Sequence, residues 1–258
     1  PRVDLWKTDY RRLYDNQIKK INNKYGNFIL FSSDFGFLNK NSIRERIRDI
    51  DWNDQIENND KKHVIELKRN QVKHNLSDFN NFINFLKECD KDYRIPKIIV
   101  RPHPAENIFV WKKILKNFKK TFVIFEGDIS IWLYSSICLI HRGCTTSVQA
   151  QYSSIPSFYF GRKRSDINNI PYDISEKINS VNDLFINLNK IQNNKIESKF
   201  DKIVNKNTVI IGQKDSCEII ADDIDNLNCE ITSNIKIHFA LKILINFQLK
   251  FITLKSII

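Results

Sequence analysis

Methionine is absent from the 258 residues, and the first residue is Pro1. No signal peptide reads at the front, so the expectation is a trimmed or incomplete chain. Glycine and proline are scarce, with six of each. That excludes collagenous and Gly/Pro-rich disordered chains and argues against propellers. The five cysteines, Cys89, Cys138, Cys144, Cys217 and Cys229, form no C-x-x-C pair. Zinc-ribbon and thioredoxin-type readings are therefore weak, and a reducing cytoplasm is the simplest compartment. Cys138 sits in an apolar run and reads as a small buried hydrophobe. The Walker A motif is also missing. The lysines are dispersed, and helix-turn-helix, zinc-knuckle and RNP patterns are absent, so nucleic acid is not the expected partner.

What is present points to a globular chain of one large or two small domains. Hydrophobic content of 41% and aromatic content of 12% allow a sizeable core. Lys and Arg outnumber Asp and Glu by 41 to 30, giving a net charge of +11. Two readings of that charge stay open. One is an anionic partner, either a nucleotide or a membrane surface. The other is the bias of an AT-rich genome, since Lys, Ile and Asn are abundant throughout.

Hydrophobic spacing predicts a helix over Thr8–Tyr25, with Leu13, Ile18, Ile21 and Tyr25 repeating and Gly26 as the stop. A short strand, Asn27–Phe31, follows. Residues 41–92 are charged and Asn-rich, with apolar positions fit for one or two amphipathic helices and a second start at Ser77-Asp78. Beyond Lys97 the elements alternate. Strands are expected at Lys97–Arg101, Thr121–Phe125, Ile137–Ile140 and Pro156–Phe160. Helices are expected at Glu106–Phe118, Asp128–Ser135 and Thr145–Tyr152. This order predicts an α/β fold, a Rossmann-like doubly wound parallel sheet. Residues 161–212 are weakly patterned, with a helix near 180–191. Another helix is expected over Asp215–Ile224. The domain reading is a linker helix over 1–26, a ligand-binding domain over 27–225 and an amphipathic tail over 226–258.

In such a sheet, ligands bind beyond the carboxyl ends of the strands. Four polar segments fall there. In His141-Arg142-Gly143-Cys144-Thr145-Thr146, a glycine and a hydroxyl cluster open a helix, which suits a phosphate. Thr145 can equally be an N-cap alone. Arg101-Pro102-His103-Pro104 holds an imidazole between two prolines, with Arg101 adding charge. A capped loop with an exposed His is the plainer alternative. Glu126-Gly127-Asp128 reads as a ligand loop or as a turn plus helix cap. Ser32–Gly36, including Ser33, is a small-residue loop able to face phosphate. His63, His74 and His238 are isolated and read as surface or core residues.

These segments carry a resemblance. The stretches are Pro1–Leu5 with Tyr25–Leu30 and Ser33–Gly36; Arg101–Asn107 with Trp111; and Glu126–Asp128 with Trp132 and His141–Ala150. Less sharply, Gly212–Asp223 joins them. The chain resembles bacterial surface carbohydrate biosynthesis proteins, glycosyltransferases of GT-B architecture similar to capsule Kdo transferases and polysialyltransferases. The resemblance implies the donor-binding half of such an enzyme, with an acceptor half upstream of Pro1. It implies that His103 contacts the donor nucleotide or its phosphate, that Thr145 and Thr146 bind phosphate, and that Glu126, Gly127 and Asp128 lie near the base. Gln149 stands where many GT-B enzymes have a ribose-binding glutamate. Arg142 stands where a smaller polar residue is usual.

The implied donor is a nucleotide sugar, a CMP-linked one among the options, and the acceptor a glycan or lipid-linked glycan. No cofactor and no metal are expected. The implied place is the cytoplasm, at the cytoplasmic face of an anionic inner membrane. The apolar, lysine-spaced tail Ile235–Ile258 reads either as a closing helix or as a surface-lying amphipathic one. Alternatives for the whole are a non-catalytic GT-B-like module, or a relative such as a sugar-nucleotide 2-epimerase or glycerophosphotransferase.

Overall fold

The computed structural model describes residues 11–35, 58–163, 170–194 and 221–224. Residues 2–208 belong to one compact unit and 209–258, with Pro1, to another. Of the second unit only the helical stretch 221–224 is described. The expected Asp215–Ile224 helix is otherwise outside the described residues, as are Thr8, His238 and the tail.

The first unit holds a six-stranded sheet, every pair parallel, in the order β3-β2-β1-β4-β5-β6. The strands are β1 (Phe28–Ser32), β2 (Lys97–Arg101), β3 (Thr121–Val123), β4 (Cys138–His141), β5 (Ser157–Phe160) and β6 (Glu176–Ile178). This is the strand order of a Rossmann-like doubly wound sheet, with its switch point between β1 and β4. β1, β4 and β5 are buried along their whole length.

Alternation along the strands divides two cores. Ile29 and Phe31, Ile98 and Val100, and Cys138 and Ile140 face one side. That side is covered by α2 (Asn58–Lys91), α3 (Ile108–Ile114) and α7 (Val181–Gln192). Phe28, Leu30, Ile99 and Leu139 face the other side, against α1 (Asp15–Tyr25), α4 (Ile129–Ser135) and α5 (Thr146–Tyr152). Phe82 of α2 is fully buried and stacks on Phe31 with ring centroids 3.8 Å apart. Burying such a ring contributes about 1.5–3 kcal/mol.

Several element bounds differ from the expectation for identifiable reasons. A 3-10 turn, Arg12–Tyr14, precedes α1 and takes Leu13 off the apolar stripe, leaving it 69% exposed. α2 is one helix of 34 residues and runs through Ser77-Asp78 without a second start. No Gly or Pro interrupts it, and Asp78 spends its carboxylate on Arg142 instead of a cap. α3 begins at Ile108 because Asn107 accepts from the Phe109 N–H, so Glu106 and Phe118 lie outside it. β3 ends at Val123, leaving Phe125 in a loop and 43% exposed. α4 starts where expected, with Asp128 accepting from the Ser130 N–H. α7 opens on a capping box made by Ser180 and Asp183. The short α6 (Ile170–Asp173) and β6 were not expected. β6 is an edge strand with only Ile178 buried, so it lacks an apolar run.

Candidate functional site

The strand register sets the site. Ser32 pairs with Arg101 on one side and with His141 on the other. Three strands therefore end level, and their loops open together beside the switch point. A cleft of about 500 Å³ lies there, lined by residues of all four segments singled out in the sequence. Arg101, His103, Gly127, Asp128, Gly143, Thr145, Thr146 and Gln149 all line it. Ser32, Asp34 and Cys144, which fall within those segments, line it too, as does Phe125, which lies just outside them.

Ser33 and Glu126 are placed differently. Ser33 is fully buried behind the cleft wall, where its hydroxyl donates to the Glu106 carboxylate at 2.8 Å. Glu106 is the residue that sequence reasoning passed over as a helix start. Its oxygens also accept from the Phe35 N–H at 2.9 Å, the Trp111 Nε1–H at 2.6 Å and the His103 N–H at 3.3 Å. Every one of these neighbours donates, so the group serves as an acceptor-only carboxylate. Burial pushes its pKa up, and the donated hydrogen bonds pull it back. Glu106 thus joins the loop after β1 to the loop after β2.

His103 is held from two directions. Its backbone N–H also lies 3.3 Å from the Ser33 Oγ. Its ring Nδ1 accepts from the Ala105 N–H at 3.1 Å. In the neutral ring the proton then sits on Nε2, which can donate to a ligand oxygen. The prolines on either side restrict the backbone further.

Arg101 is engaged with the next loop. Its Nη1 donates to the Glu126 carbonyl at 2.7 Å, and its Nη2 to the Gly127 carbonyl. Burial lowers its pKa, and the nearby Asp128 opposes that. Its chief role is to shape the 126–128 turn, where Gly127 takes φ +68°. Glu126 is not among the residues that line the cleft, and its carbonyl, besides accepting from Arg101, accepts from Trp132 Nε1 at 2.7 Å. Asp128 lines the cleft while capping α4.

No family model matches the chain, and no curated protein or solved structure matches it. The chemistry of the cleft is therefore read from its own residues.

The loop after β4 is the best supported. His141 is fully buried, and burial, with the charge of Lys177, lowers its pKa to about 3. Its neutral ring accepts the Gly143 N–H at Nδ1, 3.0 Å away, so Nε2 donates to Ser175 Oγ at 2.8 Å. The Ser175 hydroxyl lies 2.8 Å from Ser157 Oγ, which accepts from Gln151 Nε2 at 2.9 Å. This buried chain fixes the loop on which Gly143 adopts φ +102°. Thr145 is at the N-cap position of α5, yet its side chain makes no capping bond. The N-cap alternative for its hydroxyl thus fails. α5 has only seven residues, so hydroxyls count for more than a helix dipole here.

Cys144 is held as a thiol. Burial raises its pKa, and its Sγ lies 3.4 Å from Ser32 Oγ. Arg142 turns away from this cleft and is described below. Among the described residues no group of three or more His, Cys, Asp and Glu is placed to hold a metal ion. Also among the described residues, no helix is long and apolar enough to cross a membrane.

Proposed function

We propose that the chain is the donor-binding part of a glycosyltransferase, taking a nucleotide-activated sugar for bacterial surface polysaccharide. The observation that supports it most is the convergence of His103, Gly143, Thr145 and Thr146 on one cleft at the β1/β4 switch point. A pyrophosphate or phosphate there meets hydroxyl donors, the His103 Nε2–H and a glycine that permits close backbone approach. Phosphate charge grows as the glycosidic bond breaks, and preorganised donors stabilise it without a metal. The turn Gly127-Asp128 and the half-exposed Phe125 ring form the end of the cleft suited to a base. Gln149 lines the same cleft and can bond ribose hydroxyls as a neutral amide. The acceptor is a glycan or lipid-linked glycan, met at the cytoplasmic face of the membrane.

A thermal-shift panel of CMP-, CDP-, UDP- and GDP-linked sugars tests this reading. A ligand of the native state raises the midpoint by mass action. One nucleotide class is expected to do so, and a flat response to all four contradicts the proposal.

Gln149 supports a second reading, a non-catalytic GT-B-like module. A neutral amide binds a diol less strongly than a carboxylate does. Sugar turnover by the protein, abolished by the Thr145→Val/Thr146→Val double substitution, would exclude it.

A further inference from the structure

Arg142 and Gly143 are adjacent, yet they line different cavities. The cavity at Arg142 measures about 350 Å³. That is within the roughly 300–1,000 Å³ of small-molecule sites. α2 contributes Asp78, Asn81, Asn84 and Glu88 to its wall, and the segments after β5 and β6 contribute Arg162 and Asn179. Phe85 and Phe160, with ring centroids 4.6 Å apart, add an apolar surface.

Arg142 is the unusual member. It is 3% exposed. Its Nη2 donates to Asn75 Oδ1 at 3.2 Å and pairs with Asp78. Among the described residues its Nε and Nη1 have no hydrogen-bond partner. The Phe35 ring, 5.1 Å from Cζ, offsets part of that cost. These two nitrogens are sealed from the cavity, so Arg142 fixes its wall through Asn75 and Asp78 rather than offering them to a ligand.

We propose that this cavity binds a small polyhydroxylated molecule of monosaccharide size. Its formal charges cancel, Arg142 and Arg162 against Asp78 and Glu88, which disfavours a strongly charged ligand. The two carboxylates accept from hydroxyls, the three amides both donate and accept, and the Arg162 guanidinium donates to ligand oxygens. Phe85 and Phe160 suit the C–H face of a ring. Binding here does not require a nucleotide in the other cleft.

The test is a titration of the whole chain, labelled with ¹⁵N, using glucose, N-acetylglucosamine, glucuronate and inorganic phosphate as separate probes. The Arg142 Nε–H signal, assigned by its loss in Arg142→Lys, is the readout. A neutral sugar is expected to give a saturable shift. Asn81→Leu, on the exposed face of a helix, is expected to fold and to weaken that binding at least tenfold. Thr145→Val/Thr146→Val is expected to leave it unchanged, which separates this site from the donor cleft. Saturation by phosphate or glucuronate alone overturns the proposal. So does the absence of any saturable shift, or an Asn81→Leu protein that titrates like its parent.

Discussion

The Ser33 hydroxyl donates to the buried Glu106 carboxylate at 2.8 Å, across 73 positions of sequence. The pair ties the loop after β1 to the loop that carries His103. Glu106→Gln replaces an acceptor by an NH₂ among groups that all donate. The expected cost is about 1–3 kcal/mol of stability, the penalty of leaving buried donors unpaired. Urea denaturation measures it. A cost near zero would show that the clamp does not hold the loops.

His141 makes stability depend on pH. Its folded pKa, about 3, lies below the ordinary 6.5 because the ring is buried. Below about pH 6.5 the unfolded state takes up a proton that the folded state refuses, so stability falls as pH falls toward 3. Between pH 8 and pH 5 this single group should cost about 2 kcal/mol. Glu106 works the other way, since its raised pKa favours the folded state at lower pH. His141→Gln should therefore flatten the acid side of the stability profile. Identical pH dependence in urea midpoints for both proteins would contradict the assignment.

Arg101→Lys removes the fork that holds the Glu126 and Gly127 carbonyls. A lysine cannot make both bonds with the same geometry. The expected result is a loss of about 1–2 kcal/mol of stability, from hydrogen bonds made by a charged group. Nucleotide affinity should also fall, because the 126–128 turn loosens. Hydrogen exchange at the Gly127 and Asp128 amides should report the loosening directly.

Thr145→Val/Thr146→Val keeps shape and removes two hydroxyls. Thr145 makes no capping bond, and Thr146 accepts a long 3.5 Å contact from Ser32 and hydrogen-bonds the Cys144 sulfur. Stability should change by less than about 1 kcal/mol. Nucleotide binding should fall at least tenfold. An unchanged affinity would remove the phosphate role from this helix start.

The sheet was legible because buried parallel strands are unbroken apolar runs, as in Phe28–Phe31 and Cys138–Ile140. The four loops were legible because they end those runs. β6 was not, since Glu176 and Lys177 at the sheet edge hide its one buried residue. Glu106 was missed because its role depends on Ser33, Phe35 and Trp111, which only the fold brings to it. A carboxylate three residues after a histidine between two prolines was the one available signal. Ser33 looked like a ligand hydroxyl, and its burial is visible only once β1 and β2 are in register. Arg142 looked like an arginine in a phosphate loop, whereas its side chain goes to Asp78 of α2. That contact depends on where α2 lies, which local sequence does not encode.

The central claim is that His103 and the Thr145-Thr146 pair hold the phosphate of a sugar nucleotide. Calorimetric titration of the best donor from the panel into the parent and His103→Ala proteins tests it most directly. The His103 ring is exposed, so its removal should leave the fold intact. The account predicts saturable binding to the parent and affinity at least tenfold weaker in His103→Ala, the loss of one hydrogen bond to a charged group. Equal affinity in the two proteins would contradict it.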